Sequence, residues 1–255
     1  LAAERIAAEL IKLLCGQGAA EVLRKYAAVI AGILPEILPA DGFEQHNPHH
    51  CYDVWEHTLH SIAAVEPEPV LRLVMLLHDL GKPHCYTCDE SGIGHFHGHA
   101  GISLRIAKAV TSRLKLDRAT AEQICLLVRY HDIPLILEPS WIKRQLRRHG
   151  ERYFRQLLKV KAADCKAQSA ACLHRLKDLE LAEKMLENIL QEDQCFQLKD
   201  LAINGRDLIT AGIPKGPEIG VLLNKLLDAV IDGKCQNEHG TLLRYARSLW
   251  EGKNA

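Results

Sequence analysis

"LRLVMLLHDLGKP", residues 71–83, decides the reading of this chain. An apolar helical run ends in His78 and Asp79, and Gly81, Lys82 and Pro83 stop it. Burying an imidazole beside a carboxylate costs free energy unless both are paired or bound to something. The partner must come from elsewhere in the sequence.

Histidine is the compositional outlier: ten of fourteen lie between His46 and His99. Helical periodicity aims ligand-type side chains inward from five segments. His78 follows Leu71 and Val74 at helical spacing. His57, three residues after Val54, shares a face with Ser61 and Ala64. His99 opens a helix whose inner face runs through Ile102, Ile106 and Val110. His131 lies on the face of Ile124 and Leu127, and Asp164 on that of Leu157 and Val160.

One histidine on such a face is more often a hydrogen-bonded core residue, and one buried Asp a cap or half of an ion pair. Six such groups on five helices are read as a metal site. Imidazole with carboxylate suits a borderline divalent ion: iron, manganese, zinc, nickel or cobalt. Six ligands exceed the four of a closed structural zinc site. They suit two ions about 3.5–4 Å apart, bridged by a carboxylate and open to water and substrate.

Around this set nearly everything reads as helix: 3–15, 19–33, 53–64, 68–80, 100–115, 119–131, 140–149, 151–170, 173–191, 205–211, 217–232 and 239–250. Gly16 and Gly18, "PEILPADG", "EPEP", "LGKP", "DIP" and "AGIPKGP" fall between them as breakers. The exception is a short hairpin across "CYTCDESGIGHFHG". The expected fold class is all-α: a helical bundle holding the site, a helical pair before it and a small helical tail. The expected division is 1–35, 36–199 and 200–255.

A formal net charge of zero names no polyanionic partner. No apolar run reaches the about 20 residues that span a bilayer, so no membrane partner is expected. "LAAERIAAELIKLL" carries Glu4 and Glu9 and is not read as a signal peptide. The nine scattered cysteines point to a reduced, cytoplasmic protein. Cys85 and Cys88 have CxxC spacing, weak evidence for zinc without a second pair. The sequence does not begin with Met, and a fragment or processed form is expected.

One charge asymmetry stands out. Residues 143–161 carry Lys143, Arg144, Arg147, Arg148, Arg152, Arg155, Lys159 and Lys161 against Glu151 alone. Such a strip suits an RNA backbone, with Tyr153 and Phe154 as stacking or core residues. It equally suits a solvated face paired with acids such as Glu180, Glu183 and Glu187. "CGQG" near residue 15 has no strand before it and is read as a helix stop. Lys215 and Gly216 in "IPKGPEIG" are read as a plain turn.

The order H…HD…H…H…D resembles the HD-domain superfamily of metal-dependent phosphohydrolases. That resemblance implies that His57, His78, Asp79 and Asp164 form the minimal metal set. It implies that His99 and His131 are the extra ligands of two-metal members, and that Lys82 in "HDLGK" contacts substrate phosphate. A narrower resemblance carries "ERIAAELIKLL", "ILPEILP", "HNPHHCYDVWEHTLHS", "GHFHGHAGIS" and "DLAINGRDLITAGIPKGPEIGVLLNKLLDAVIDGKCQNE". These are similar to the HD-containing half of bacterial tRNA CCA-adding nucleotidyltransferases. The Gly-Ser turn and D-x-D of that family's catalytic head do not occur, so the chain is expected to be the back half, without nucleotide addition.

The expected function is therefore a metal-dependent phosphohydrolase acting on a phosphomonoester or phosphodiester. The resemblance points to a nucleotide or a 2′,3′-cyclic phosphate. One or two divalent ions are the expected cofactor; Asp79, bridging two ions, and Lys82 would carry catalysis. The alternative is a tRNA-binding body and tail whose HD site is structural or vestigial. His49, His50, His60, His95 and His97 are candidates for the pocket wall or its surroundings.

Overall fold

Leu- and Ala-rich segments with apolar residues at helical spacing fold as α-helices almost throughout the computed structural model, which describes residues 2–192 and 194–254. In chain order the helices are α1 (Ala3–Cys15), α2 (Ala19–Lys25), α3 (Ala27–Ala31), α4 (Val54–Ala64), α5 (Pro69–Leu77), α6 (His99–Arg113) and α7 (Arg118–Tyr130). There follow α8 (Pro139–His149), α9 (Glu151–Lys166), α10 (Arg175–Gln191), α11 (Gly205–Thr210), α12 (Glu218–Ile231) and α13 (His239–Asn254). The strands β1 (Thr87–Cys88) and β2 (Gly94–His95) pair antiparallel, Thr87 opposite His95. The fold is all-α with this one hairpin among the described residues.

The chain forms two units. The first is residues 1–135 with 155–180, and the second is 136–154 with 181–255. In the first, α5 is the central helix. Pro69 at its first position fixes the entry, and all eight residues from Val70 to Leu77 are buried. Fully burying each such apolar side chain contributes roughly 1.5–3 kcal/mol. Helix α5 packs against α1, α4 and α7, and α6 packs against α7. In the second unit, Leu208, Leu226, Leu227, Leu242 and Ala246 form the core. Helix α12 there packs against α8, which buries Ile142 and Leu146.

Several expectations need correction. The single helix over 19–33 breaks at Tyr26 (φ −116°, ψ 26°), with Leu23 and Ile30 buried on either side. Helix α5 ends at Leu77, so His78 and Asp79 lie in the turn that follows it. Helix α9 stops at Lys166 rather than 170: Ala167 N–H donates to the carbonyls of both Ala163 and Asp164, and Ser169 N–H is drawn to His49 O at 2.9 Å. "PEILPA", read as a breaker, is a 3-10 helix. Residues 1–35 pack with the first unit through α1 on α5 and α2 on α4. Residues 136–154 belong with the tail.

Candidate metal centre

Local rules place each candidate ligand. Asp53 caps α4, its carboxylate accepting from Glu56 N–H at 2.8 Å, and this sets the turn that carries His57 inward. His78 follows directly on α5 as its C-cap, still in helical conformation and with its N–H bonded to Val74 O. Asp79 follows, and Gly81 N–H donates to Ser103 Oγ at 2.9 Å. A Cβ on Gly81 would stand 2.4 Å from His99 O and 2.7 Å from Ser103 N, so only glycine lets the start of α6 approach. Gly98 (φ 80°) turns the chain into α6, and His99 is its first residue. His131 follows directly on α7 as its C-cap, and Asp164 lies on α9.

The six residues meet. His57 Nε2 lies 3.2 Å from Asp79 Oδ2 and 3.0 Å from Asp164 Oδ1, and His78 Nε2 lies 3.3 Å from Asp79 Oδ2. The other oxygen, Asp79 Oδ1, lies 3.3 Å from His99 Nε2 and 3.5 Å from His131 Nε2. Two groups with metal-binding spacing result: His57, His78, Asp79 and Asp164, and Asp79, His99 and His131. Asp79 belongs to both, one oxygen facing each.

The nitrogen chemistry fits cations. All four imidazoles direct Nδ1 to a backbone carbonyl: His57 to Ala167, His78 to Met75, His99 to Phe96 and His131 to Val128. A neutral ring donating there presents a lone pair at Nε2. Those Nε2 atoms face each other, 3.4 Å apart for His57 and His78 and 3.1 Å apart for His99 and His131. Two lone pairs at such a separation repel, so each pair of nitrogens needs either a proton or a cation between it and the carboxylates.

Electrostatics follow from burial against charge. Burial pulls His78 down, but Asp79 and Asp164 outweigh it, and the group is pushed up to about 10. Burial opposes ionisation of Asp79, yet His78 and Lys82 hold it well below the carboxylate range. Asp164 is also held low against burial, by its bonds from His57 and His78. Burial lowers His131.

Lys82 is not a solvated lysine after a turn. It is 4% exposed, 2.7 Å from Asp79 Oδ2, and donates to Gln45 Oε1 at 2.8 Å. It lines a cavity of about 270 Å³ together with His50, Asp79, His99, His131 and Asp164. A second cavity of about 360 Å³ shares His131, Asp132, Asp164 and Gln168 with the first and adds the apolar Ile133, Pro134 and Leu135.

His50, His95 and His97 line the smaller cavity. Burial, then Lys82 and His57, lowers His50 to about 3, and its Nδ1 is buried without a partner. His60 stacks on Tyr52, and His49 meets the Cys172 thiol. Cys85 and Cys88 direct their thiols to backbone carbonyls and join neither histidine group.

Gln45, Lys161 and Gln168 escaped the sequence reading as members of the site. Gln45 sits in a loop with no periodicity to mark it. Gln168 follows Asp164 by one helical turn and donates to its Oδ2 at 3.1 Å, a spacing that was there to be read. In the second unit, Arg144 is bonded to Asp232 and Arg147 to Asp228 and Asn224, all on or just after α12. Tyr153 and Phe154 are core residues, 2% and 0% exposed. No helix among the described residues is long and apolar enough to cross a membrane.

Comparison with known proteins places this geometry in a family. Residues 90–246 match the family model described as tRNA nucleotidyltransferase domain 2, putative, a span that includes His99, His131 and Asp164. The A-adding tRNA nucleotidyltransferase of Deinococcus radiodurans is 30% identical over 237 residues, 89% of this chain and 54% of its own length. The CC-adding tRNA nucleotidyltransferase of Thermus thermophilus is 32% identical over 241 residues, 91% of this chain and 54% of its own length. A bifunctional uridylyltransferase/uridylyl-removing enzyme of Ruegeria pomeroyi is 32% identical over 125 residues, 40% of this chain and 13% of its own length. The chain thus spans about half the length of the tRNA nucleotidyltransferases that it resembles. Because the family model takes in well over half of the sequence, the chain belongs to the tRNA nucleotidyltransferase domain 2 family.

Proposed function

We propose that this chain is the tRNA-binding body and tail of a tRNA nucleotidyltransferase, and that its first unit is also an HD-type phosphohydrolase. The names of the two long relatives support the first part. One observation carries the second: Asp79 directs Oδ2 to the group of His57, His78 and Asp164, and Oδ1 to His99 and His131. A purely structural fold has no physical need for a buried carboxylate divided in this way.

His57, His78, Asp79 and Asp164 would hold one divalent ion, and Asp79, His99 and His131 the other. Bound there, such ions supply charge stabilisation at phosphorus and water activation near neutral pH. The protein's own residues do the rest. The four Nδ1–carbonyl bonds lock the rings, as outer partners do at metal sites. Lys82 is held by Gln45 at the cavity wall, where its ammonium group offsets charge on a phosphate oxygen. The two adjoining cavities suit a nucleotide or a 2′,3′-cyclic phosphate, with phosphorus over Asp79 and the nucleoside along Ile133, Pro134 and Leu135.

The test is hydrolysis of a 2′,3′-cyclic nucleotide with added manganese, nickel or cobalt. Wild type turns over and Asp79→Ala does not. Equal rates in the two would assign the turnover to a contaminant and leave a tRNA-binding body with a structural HD site.

A further inference from the structure

Helix α7 ends in the turn that carries His131, and a helix end leaves carbonyl groups without partners in the helix. Lys161 supplies them. From α9, its Nζ donates to His131 O at 2.7 Å and to Ile133 O at 2.6 Å. A cation at the carbonyl end of a helix also meets the negative end of its dipole. Lys161 precedes Asp164 by three residues, so both lie on one face of α9.

Lys161 therefore joins two elements that hold different ligand groups. Asp164 belongs with His57 and His78, whereas His131 belongs with His99. The His131 ring has its own restraint, Nδ1 to Val128 O at 2.7 Å, but that bond lies within α7 and its end. It fixes the ring on the helix and does not fix the end of the helix against α9. Without the ammonium group the carbonyls of His131 and Ile133 lose their bonds from α9, and the turn is free to move relative to Asp164.

We propose that Lys161 is a positioning residue that sets the separation of the two ion sites by fixing His131 against the helix of Asp164. This inference rests on the two-ion reading above. It predicts an asymmetric lesion. Lys161→Met should keep the ion held by His57, His78 and Asp164. It should weaken the ion held by His99 and His131 by roughly 10–100-fold, the usual effect of losing an outer partner at a metal site.

Manganese titration of the purified chain, read by elemental analysis and by electron paramagnetic resonance, tests this. Wild type should bind two ions and give a spin-coupled signal. Lys161→Met should bind one tightly and give the isolated-ion spectrum. Lys159→Met should behave as wild type, because Lys159, on the same helix, pairs with Glu66 at 2.7 Å. If Lys161→Met does not fold, Lys161→Gln carries the same measurement, since its shorter side chain cannot serve both carbonyls. Unchanged two-ion binding overturns the inference, and so does equal loss of both ions. A wild type that takes up no metal overturns the two-ion reading instead.

Discussion

A Cβ placed on Gly81 would stand 2.4 Å from the carbonyl oxygen of His99. The turn after α5 and the start of α6 therefore meet backbone to backbone, and this contact brings His99 Nε2 within 3.3 Å of Asp79 Oδ1. The glycine of "HDLGK" is required because a neighbouring helix fills the space where a side chain would go.

Gly81→Ala should accordingly destabilise the first unit. Overpacking of a close contact typically costs about 1–3 kcal/mol. Two of the three obstructing atoms, the His99 carbonyl oxygen and the Ser103 amide nitrogen, are backbone, and the third, Ser103 Oγ, sits at the end of a short side chain. Urea unfolding should show the midpoint fall, and the His99–His131 group should lose affinity for its ion. Wild-type stability would contradict the close approach.

Lys82→Met should lower turnover while sparing metal content. The ammonium group touches Asp79 and Gln45 rather than any imidazole of the two groups, so each ion keeps its nitrogen ligands. A loss of about tenfold or more in kcat/KM with unchanged metal stoichiometry is expected. Loss of both ions would instead make Lys82 a support for the ligands.

Metal uptake should release protons, and affinity should rise as pH rises towards about 10, the value to which His78 is pushed, because ligands bind only when deprotonated. Against the opposing pull of burial, His57, His78 and His99 are all raised by the carboxylates, His78 to about 10. A raised imidazole stabilises the fold below its ordinary pKa near 6.5 and loses that contribution as pH rises through its folded-state value, about 10 for His78. Asp79 and Asp164, held low, stay charged throughout. At neutral pH an arriving ion therefore displaces imidazole protons, which an indicator dye in weak buffer detects. Uptake without proton release would contradict this charge state.

Much of the site was legible because metal ligands on helices obey the same periodicity as the core. Val54 and His57, or Ile124 and His131, share a face for geometric reasons that a sequence displays. What lay between helices was hidden. The burial of Lys82 depends on Gln45, from a loop 37 residues earlier. The joining of residues 136–154 to the tail depends on packing between α8 and α12. The strip of charge in 143–161 read equally as an RNA-facing surface or as a paired face, because nothing local announces Asp228 and Asp232 as partners of Arg147 and Arg144.

That pairing sharpens the test of tRNA binding. Binding should weaken steeply with salt, each neutralised phosphate contributing about −0.7 to −0.9 to the slope of log K against log salt. Reversing Arg152 to Glu leaves the bonds of Arg144 and Arg147 to α12 in place, should flatten the slope by about one unit, and should weaken binding. Hydrolysis of a small phosphodiester should persist. Undetectable tRNA binding at low salt, or binding unaffected by the reversal, would mean that Arg152 belongs to a solvated face.

The central claim is that Asp79 bridges two ions that together hydrolyse phosphate esters. Its most direct test is metal content and turnover of bis-p-nitrophenyl phosphate, measured side by side in wild type and Asp79→Ala prepared without chelator and saturated with manganese. The account predicts two ions per chain and turnover in wild type, with no turnover and at most one ion in Asp79→Ala. Two ions in both proteins, or equal turnover in both, would contradict it.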